Sequence, residues 1–503
     1  MIPFNITSHF FEVATNMPSK IALRDGRNTL TYGELARKVN LTANYYKHKG
    51  INCGDRVLVF VPMSINLYVV VLALFKIGAA VVFIDRWANS QRLEASCRIA
   101  RCKGVVGGFK VRLLKFFLSS LRKIPLFLRT HGTFPDSTDF SVPATGEDDV
   151  ALITLTTGST GEPKAAIRTH GLLNRQFEAL RSEVKPAAAD VDLSLLPIVL
   201  LMNLGVGATS VIVRFTPSKP KSFDAVLVSD EVQRCGVTRI TASPYFLSLL
   251  ATEIKRHPQK STTVKRIITG GAPVFPQQAA QITAAFNNAE LLILYGSTEA
   301  EPISSISGNE LLKRDQLHKG LAVGKPCDSA EVNIIASTQE AVTGDDLVFN
   351  QPGVPGEIIV AGPHVLRTYL NNDKAVSRNK IFAGTKVYHR TGDCGYLDAE
   401  NNLFLCGRCE TVINYQGMPI FPFLYEERLA LFPGVTIGTI MQIKNRILII
   451  AEADKDKEKM ILDFFSNEPF PISRVVTLPA LPRDPRHFSK IDYTRLKKLI
   501  SRL

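Results

Sequence analysis

The stretch that organises this 503-residue sequence is Leu155-Thr156-Thr157-Gly158-Ser159-Thr160-Gly161-Glu162-Pro163-Lys164. It follows the apolar run Ala151-Leu152-Ile153, which predicts a buried strand. A loop rich in hydroxyl groups therefore leaves the end of a strand and finishes at a lysine. Gly158 and Gly161 allow backbone N–H groups to converge on one point, the hydroxyl groups add donors, and Lys164 adds a positive charge. We predict that this loop holds phosphate groups.

The loop differs from the phosphate loop of kinases and GTPases. That loop requires Gly-x-x-x-x-Gly-Lys-Ser/Thr, whereas Pro163 stands here where a backbone donor is needed. A plain linker is the alternative interpretation, because loops rich in serine, threonine and glycine are often only connections.

The composition is that of a globular protein with a large core. Hydrophobic residues make up 45% of the chain and charged residues 21%, which excludes a disordered or fibrous protein. The eight cysteines are scattered, so a reducing compartment is favoured over secretion. Cys406 and Cys409 form a Cys-x-x-Cys without a second pair, so we expect neither zinc nor redox use there. The N-terminus lacks the pattern of an export signal, and we expect a cytoplasmic location.

The chain carries a net charge of +14, with 60 lysines and arginines against 46 acidic residues, which predicts attraction to anions. Nucleic acid is not expected as a partner, because no motif of a nucleic-acid-binding module is present. The segment Leu113 to Arg129 predicts a helix with one apolar face and interleaved basic residues. We favour a helix that docks on its own domain; peripheral membrane contact through residues 113–124 is the alternative.

Two long uncharged stretches, Val57 to Phe75 and Leu193 to Val213, are interrupted by prolines, asparagines and glycines. We therefore expect core elements and no membrane spans. The first stretch predicts a strand at Val57–Val61 and a helix at Asn66–Lys76, with another apolar strand at Ala80–Ile84. Apolar runs without alternation indicate parallel strands covered on both faces.

Three further short strands are predicted at residues 238–241, 264–269 and 291–294. Small or polar residues follow each of them: Ala242-Ser243-Pro244, Gly270-Gly271-Ala272 and Tyr295-Gly296-Ser297-Thr298-Glu299. Open α/β sheets bind ligands beyond the carboxyl ends of their strands, so we expect these three loops to surround a ligand.

From about Gly320 the sequence has short alternating segments punctuated by glycine and proline, which predict an antiparallel β subdomain. From about Glu410 short strands mix with charged helices. The predicted fold is therefore α/β, with a large N-terminal domain of stacked, parallel-rich sheets with helices and a β subdomain (residues 1–409). A small, mobile α+β domain (residues 410–503) completes the chain.

The turn at residues 295–299 combines an aromatic ring, a glycine, two hydroxyl groups and a carboxylate. The ring of Tyr295 can lie against a base, the hydroxyl groups can donate to phosphate, and Glu299 can hold a magnesium ion that bridges phosphate oxygens. Ordinary turn chemistry is the alternative.

Further motifs extend this pattern. Gly270 and Gly271 would let the backbone approach a planar base, although a tight structural turn explains them equally. Asp393 follows a glycine and can accept hydrogen bonds from two ribose hydroxyls. Lys490 lies in a proline-bounded loop near the C-terminus, for which a solvated basic tail is the alternative.

Together, in this order and spacing, the motifs resemble the adenylate-forming superfamily, which contains acyl-CoA synthetases, the adenylation domains of peptide synthetases and luciferases. The resemblance extends from Leu30 to the final lysine loop. It implies an enzyme that binds ATP and Mg²⁺ and activates a small-molecule carboxylic acid as an acyl-adenylate. CoA is a further cofactor if the product is a thioester.

The resemblance also implies a role for each motif. The residues that would hold the β- and γ-phosphates are Thr156, Thr157, Gly158, Ser159, Thr160, Gly161 and Lys164. The residues that would frame adenine are Gly270, Gly271, Ala272 and Tyr295, with Gly296 and Ser297 in the same nucleotide-binding turn.

For the reaction itself, the resemblance implies that Thr298 touches the α-phosphate and that Glu299 is the metal ligand. Asp393 and Arg408 would bind the ribose, and Glu410 would be the hinge of the C-terminal domain. Lys490 would bridge the carboxylate and the α-phosphate, which otherwise repel each other.

Two features of the sequence indicate which branch of the superfamily it resembles. The wall expected at Leu196 to Met202 is apolar, with Gly205 and Gly207 leaving room, and no carboxylate is apparent to pair with an α-ammonium. An aliphatic acid is therefore favoured, with an amino acid or aryl acid as the alternative. The segments 295–304 and 486–491 resemble the olefin-pathway β-lactone synthetases, in which the substrate's own hydroxyl closes a lactone.

The adenylation motifs leave the second half-reaction open between lactone closure and thioester formation with CoA. One expected carboxylate is also missing, because Pro422 is followed by Phe423-Leu424-Tyr425-Glu426 where the family usually has Pro-x-Glu-x-Glu. A non-catalytic scaffold that binds nucleotide or lipid at a membrane surface is the alternative from another class.

Overall fold

The structure is a computed structural model that describes residues 4–84, 90–131, 145–157, 163–213, 215, 222–314, 319–484 and 488–501. The helices of the described residues are α1 (Thr7–Asn16), α2 (Tyr32–His48), α3 (Ile65–Lys76), α4 (Ser90–Ala100), α5 (Phe109–Phe117), α6 (Ser119–Arg122), α7 (His170–Val184), α8 (Pro197–Val206), α9 (Ala225–Cys235), α10 (Pro244–Arg256), α11 (Pro276–Ala285), α12 (Gly308–Lys313), α13 (Asp373–Asn379), α14 (Pro422–Ala430), α15 (Glu458–Phe464) and α16 (Tyr493–Ile500).

The strands in the first half of the chain are β1 (Ile21–Asp25), β2 (Asn28–Thr31), β3 (Arg56–Phe60), β4 (Ala80–Ile84), β5 (Gly104–Gly107), β6 (Leu126–Leu128), β7 (Val150–Thr157), β8 (Pro163–Thr169), β9 (Val191–Ser194), β10 (Thr209–Ile212), β11 (Arg239–Ala242) and β12 (Arg266–Gly270). The strands in the second half are β13 (Glu290–Ser297), β14 (Ala300–Ser307), β15 (Leu321–Pro326), β16 (Glu331–Ile335), β17 (Gly356–Ala361), β18 (Lys380–Ala383), β19 (Lys386–Leu397), β20 (Leu403–Arg408), β21 (Ile413–Tyr415), β22 (Met418–Ile420), β23 (Ile437–Ile443), β24 (Arg446–Glu452) and β25 (Arg474–Leu478).

One sheet contains the first predicted strand–helix–strand unit. Its strand order is β6-β5-β3-β4-β7-β8, and all neighbours are parallel except β7 and β8. Helix α3 connects β3 to β4, and every residue from Leu67 to Lys76 is buried. The first long uncharged stretch is therefore core structure, as predicted, because α3 is apolar on all sides and covered by its own domain.

The largest sheet runs β16-β17-β19-β20-β15-β14-β13-β12-β11-β9-β10-β1-β2, with β18 beside β19. Strands β9 to β13 pair in parallel, and from β14 onward the pairing is antiparallel, so the predicted change of texture near Gly320 is confirmed. Because β11, β12 and β13 are parallel neighbours, their carboxyl ends lie at one edge of the sheet. The three loops that the sequence singled out therefore meet there.

The C-terminal segment forms its own three-stranded sheet, ordered β23-β24-β25, with its own apolar clusters around Ile440, Ile449 and Leu496. This mixed α+β segment agrees with the predicted fold class. The boundary between residues 409 and 410 stays a prediction.

The predicted helix over residues 113–124 is wrong in its continuity. Helix α5 ends at Phe117, Leu118 is extended (φ −119°, ψ 111°), and the short α6 follows. Leu118 and Leu121 are buried, whereas Phe116 and Phe117 are 71% and 81% exposed. The chain breaks because Leu118 turns into the core, so the apolar residues do not share one docked face. No helix among the described residues is long and apolar enough to cross a bilayer.

Candidate active site

A cavity of about 1030 Å³ opens at the carboxyl ends of β11, β12 and β13, where the two large sheets and the C-terminal segment meet. Many of the predicted site residues line this single cavity, namely Lys164, Gly270, Gly271, Ala272, Tyr295, Gly296, Ser297, Thr298, Glu299, Asp393, Arg408 and Lys490. The structure therefore brings together motifs that are separated by more than 300 positions in the sequence.

Four residues of the predicted phosphate loop, Gly158, Ser159, Thr160 and Gly161, lie outside the described residues. Thr156 and Thr157 end strand β7, and Lys164 is the second residue of strand β8, on the far side of the loop. Thr156 pairs with Lys164 across β7 and β8, so the loop connects two adjacent antiparallel strands.

The nucleotide end of the cavity, which we define as Lys164, Gly270–Ala272, Tyr295–Glu299, Asp393 and Arg408, contains a network around one carboxylate. Asp393 accepts hydrogen bonds from the Tyr295 hydroxyl at 2.8 Å and from Arg408 Nη1 at 2.7 Å. Burial and the neighbouring Asp393 raise the pKa of Tyr295 well above its ordinary value, and Asp393 raises the pKa of Arg408. The carboxylate is therefore held in a fixed position before any ligand binds.

Glycine is required beside this network. Gly392 has φ +70°, and a Cβ there would lie 2.9 Å from Arg408 Nη2. A Cβ on Gly270 would lie 2.6 Å from the Leu294 carbonyl oxygen, and Gly271 has φ +79°. These positions keep the cavity wall as bare backbone, which suits the approach of a planar base.

The phosphate side of the nucleotide end contains residues that the sequence reasoning missed. Lys164 Nζ donates to Asn379 Oδ1 at 3.0 Å and lies 5.9 Å from the centre of the Tyr369 ring. The Tyr369 hydroxyl donates to Glu299 Oε1 at 3.1 Å. Burial lowers the pKa of Lys164, while Glu299 opposes that shift. No motif surrounds Tyr369 or Asn379, so only their position in the fold reveals them.

A second buried lysine, Lys380, lies near Tyr369. Lys380 Nζ donates to the Leu366 carbonyl and lies 5.6 Å from the centre of the Tyr369 ring. Burial lowers the pKa of Lys380 to about 7, with Glu299 opposing the shift. Tyr369 is therefore held between two lysines and presents its hydroxyl to Glu299.

The residues around Glu299 fit a magnesium ion that is shared with phosphate. Among the described residues no group of three or more His, Cys, Asp or Glu side chains could hold a metal ion. Mg²⁺ in nucleotide sites is commonly held by one or two carboxylates, with phosphate oxygens and waters completing the octahedron. The carboxylate of Glu299, which lines the cavity, is consistent with that mode of binding.

The terminal lysine loop contacts the N-terminal part of the chain directly. The Tyr245 backbone N–H donates to Ser489 Oγ at 3.2 Å, and the Phe488 ring packs edge-on against Tyr245 at 5.1 Å. Asp484 Oδ1 accepts the Lys490 backbone N–H at 2.9 Å. Lys490 is exposed and lines the cavity, and its loop packs against the N-terminal part of the chain.

The acid end of the cavity, which we define as Leu180, Leu196, Ile198, Met202 and Ile268, is apolar. Helix α8 supplies much of this wall, as the sequence predicted. A buried polar network anchors α8, because Asn203 Nδ2 donates to Asp192 Oδ2 at 2.8 Å and Arg239 Nε donates to Asp192 Oδ1 at 2.9 Å. The asparagine that interrupts the apolar stretch therefore fixes the wall to strands β9 and β11.

One expectation about the acid end is wrong. Gly205 and Gly207 do not line the cavity, and a Cβ on Gly205 would lie 2.7 Å from Phe177 Cε2, so this glycine allows α8 to pack against α7. Glu301, which lies on β14 outside this apolar wall, also lines the cavity. Burial raises the pKa of Glu301, while the guanidinium of Arg168 opposes that shift.

Comparison with known proteins adds independent information. A family model described as AMP-binding enzyme matches residues 10–370. An olefin beta-lactone synthetase of Stenotrophomonas maltophilia is 29% identical over 545 residues, which cover 98% of this chain and 97% of that protein. A 4-coumarate–CoA ligase of Nicotiana tabacum is 24% identical over 516 residues, which cover 95% of this chain and 91% of that protein.

A solved structure resembles the whole chain. The O-succinylbenzoate coenzyme A synthetase of Bacillus subtilis, solved in complex with ATP and a magnesium ion, superimposes with a TM-score of 0.81 at 21% identity. The superposition covers 97% of this chain and 99% of that structure. At this identity the likeness concerns the fold, and it confirms the α/β architecture described above.

Proposed function

The chain belongs to the AMP-binding enzyme family and is an AMP-forming acid ligase, and from this premise we propose that its acid is a fatty acid or a 3-hydroxy fatty acid. ATP activates the acid as an acyl-adenylate with release of pyrophosphate. The acyl group then passes to CoA as a thioester or closes on its own hydroxyl as a β-lactone.

The observation that carries this proposal is that one cavity is lined both by the polar motif residues and by a cluster of apolar residues from α8 and its neighbours, with Lys490 lining the same space. An aliphatic chain gains free energy from an apolar wall, roughly 25 cal/mol for each Å² of apolar surface buried. A polar or charged tail would gain nothing there.

In the proposed binding mode, ATP lies along the nucleotide end. Asp393 accepts hydrogen bonds from the ribose hydroxyls while Arg408 and Tyr295 hold the carboxylate in place. Lys164 faces the terminal phosphates from the end of β8 together with the loop over residues 156–161. Glu299 would hold a magnesium ion, which neutralises phosphate charge when bound.

Lys490 supplies the charge for the chemical step. A carboxylate oxygen attacks the α-phosphorus, a new P–O bond forms, and the bond to pyrophosphate breaks. Both reactants are anions, and a positioned ammonium between them lowers the free energy of the transition state. Ser489 and Phe488 hold the loop against Tyr245, which supports placing Lys490 at this point.

The boundary of the mobile C-terminal domain at residues 409 and 410 belongs to the same proposal. Glu410 is exposed, lies in a single 3₁₀ turn between β20 and β21, and lines the cavity. A short, exposed connection of this kind can absorb the backbone rotation of a hinge. In the proposed cycle, rotation about Glu410 withdraws Lys490 after adenylation.

The test is acid-dependent release of pyrophosphate from ATP, measured with unsubstituted and 3-hydroxy fatty acids of several lengths. Mass analysis of the products with and without CoA separates the second step. A lactone that forms without CoA supports ring closure, as in the beta-lactone synthetase relative, and a CoA-dependent thioester supports the ligase alternative. Preference for amino acids or aryl acids would overturn the proposed acid class.

A non-catalytic scaffold is the competing function from another class. It predicts ATP or lipid binding without pyrophosphate release by any acid. The presence of Lys164, Glu299 and Lys490 on one cavity favours the enzyme.

Peripheral membrane contact is a further part of the proposal. Phe109, Phe116 and Phe117 at the ends of α5 are 74%, 71% and 81% exposed, and basic residues flank them. Exposed aromatic side chains beside basic ones suit an anionic bilayer surface. Co-sedimentation with phosphatidylglycerol vesicles tests it: binding that disappears in Phe116→Ser/Phe117→Ser supports contact, and binding that persists contradicts it.

A further inference from the structure

Tyr369 lies behind the cavity wall and contacts a carboxylate that the proposed chemistry requires. The residue is 3% exposed and does not line the cavity itself. Its hydroxyl donates a hydrogen bond to Glu299 Oε1 at 3.1 Å. Burial and the neighbouring Glu299 raise the pKa of Tyr369 well above its ordinary value, so the hydroxyl keeps its proton and remains a donor. An uncharged side chain therefore reaches Glu299 from the protein interior.

The segment that carries Tyr369, residues 365–370, also holds the main chain of this glutamate. The Leu366 N–H donates to the Glu299 carbonyl oxygen at 2.7 Å, and Val365 forms a β-bridge with Ala300. Both the backbone and the side chain of Glu299 are therefore bonded to one short segment. Such double attachment restricts the rotamers that a carboxylate can adopt.

The other end of this segment is attached to the strand that carries Lys164. Tyr369 forms an antiparallel bridge with Ala166 of β8, and the Leu370 N–H donates to the Ala165 carbonyl oxygen at 2.9 Å. The segment therefore connects β8, on the far side of the predicted phosphate loop, to the nucleotide-binding turn.

Two lysines lie near Glu299 without binding its carboxylate. Lys164 Nζ donates to Asn379 Oδ1 at 3.0 Å, and Lys380 Nζ donates to the Leu366 carbonyl oxygen. Neither ammonium group forms an ion pair with Glu299 in the part of the chain that the structure describes. A bonded lysine would compensate the charge of the carboxylate, whereas a tyrosine hydroxyl is neutral. Glu299 therefore keeps its charge for a cation that arrives with the ligand.

The second carboxylate oxygen of Glu299 is left for such a cation. Oε1 accepts the hydrogen bond from Tyr369, and no donor among the described residues is bonded to Oε2. Glu299 itself lines the cavity. Carboxylates that bind metal ions are generally held by hydrogen bonds from outer partners, and loss of such a partner typically costs about 10- to 100-fold in metal affinity or activity.

We propose that Tyr369 is a positioning residue for the metal site, because its hydroxyl holds one oxygen of Glu299 so that the other can bind the Mg²⁺ ion that accompanies ATP. This inference rests on the proposed function, in which Glu299 is the metal ligand. Tyr369 acts only through that glutamate. The hydroxyl should therefore matter when ATP binds with Mg²⁺ and not when ATP binds alone.

The experiment measures ATP affinity by calorimetric titration of the wild type and Tyr369→Phe, once with excess Mg²⁺ and once with EDTA, in the absence of any acid. Phenylalanine keeps the ring and its packing and removes only the hydroxyl. We expect Tyr369→Phe to weaken binding of ATP with Mg²⁺ about 10-fold and to leave binding of metal-free ATP within about twofold. Glu299→Gln should show the same dependence on the metal, because it removes the charge of the ligand.

The matched control is Tyr388→Phe. Tyr388 on β19 is also 3% exposed, and its hydroxyl donates to Glu331 Oε1 at 2.5 Å, but neither of these two residues lines the cavity. This variant loses a hydrogen bond of the same kind, and we expect both of its ATP affinities to match the wild type. A selective loss with Mg²⁺ here would show that removing any buried tyrosine hydroxyl is sufficient, and would overturn the inference.

The Glu299→Gln variant keeps failure of the inference separate from failure of the proposed function. If Glu299→Gln loses affinity only with Mg²⁺ and Tyr369→Phe does not, the inference is overturned while the metal site stands. Equal losses of Tyr369→Phe with Mg²⁺ and with EDTA would indicate a packing defect and would also overturn it. A wild type whose ATP affinity does not depend on Mg²⁺ would overturn both the assignment of Glu299 and the inference. Absence of pyrophosphate release with every acid would refute only the proposed reaction, because the titrations contain no acid.

Discussion

At the nucleotide end of the cavity, polar side chains are held by one another before any substrate binds, whereas the acid end is an apolar wall. Asp393 is fixed by two hydrogen bonds, and Glu299 by one. The acid end is positioned from behind, through the buried contacts of Asn203 and Asp192. Polar groups therefore face the cavity at the nucleotide end, whereas at the acid end they lie behind the wall.

The difference has a functional consequence. A preorganised polar end binds one ligand well and tolerates little change, because each group depends on its neighbours. An apolar wall accepts any chain that fits its volume and shape, so its selectivity changes through single substitutions. We therefore expect variants at the nucleotide end to affect all acids alike, and variants at the acid end to change the preference among acids.

The largest effect on activity is expected for Lys490, because its ammonium group acts on both the nucleotide and the acid. Lys490→Ala should lower the rate of acyl-adenylate formation about 10²- to 10³-fold, because a positioned charge is lost in the transition state. ATP affinity should stay near the wild-type value, since the nucleotide end is intact. Pyrophosphate release and ATP titration measure the two quantities. Lys497→Ala, an exposed lysine on α16, is the control, and near-wild-type turnover of Lys490→Ala would contradict the assignment.

The next effect tests the nucleotide end alone. Asp393→Asn removes the charge that holds Arg408 and should raise KM for ATP about 10- to 100-fold, because a charge-assisted hydrogen bond is lost. The ratio of kcat/KM between two acids should not change. Steady-state kinetics with two acids measure both, with Asp345→Asn in an exposed loop as control. A changed acid ratio would refute the separation of the two ends.

A bulky substitution at the acid end tests whether its wall binds the acyl chain. Ile198→Trp on α8 should lower kcat/KM for long acids about 10-fold, because the larger side chain occupies space that the acyl chain needs. Short acids and KM for ATP should be little affected. Rates over a series of chain lengths give the measurement. Equal losses for short and long acids would indicate that the wall does not bind the chain.

The smallest effect on turnover is expected for Glu426, whose carboxyl group lines the cavity but is hydrogen-bonded within the C-terminal segment. Glu426 accepts hydrogen bonds from Thr439 and Tyr493, and burial raises its pKa to about 7 from an ordinary value of 4.5. The folded protein therefore binds this proton more tightly than the unfolded chain, and stability is lost as the pH rises from 4.5 through 7.

The substitution Glu426→Gln removes this pH-dependent loss of stability. We expect its melting temperature to match the wild type near pH 4.5 and to exceed it by about 2–4 °C at pH 8, with kinetics unchanged. Thermal unfolding at both pH values is the measurement. A variant that is less stable than the wild type at pH 8 would show that the hydrogen bonds of the carboxylate outweigh its burial.

The sequence alone determined the elements and the nucleotide motifs. Apolar runs without alternation identified β3, α3 and β4, and Thr31 with Glu34 three residues later forms a capping box at the start of α2. These features are readable because each depends on neighbouring positions in the chain. The turn at residues 295–299 is readable for the same reason.

Only the tertiary structure decided which isolated residues join the cavity. Tyr369, Asn379 and Lys380 carry no motif, and the fold brings each of them to its partner. The break at Leu118 likewise follows from a buried position that the local helical pattern does not reveal. A residue whose role depends on contacts far along the chain leaves no local pattern, so the residues that surround Glu299 and Lys164 had to be found in the fold.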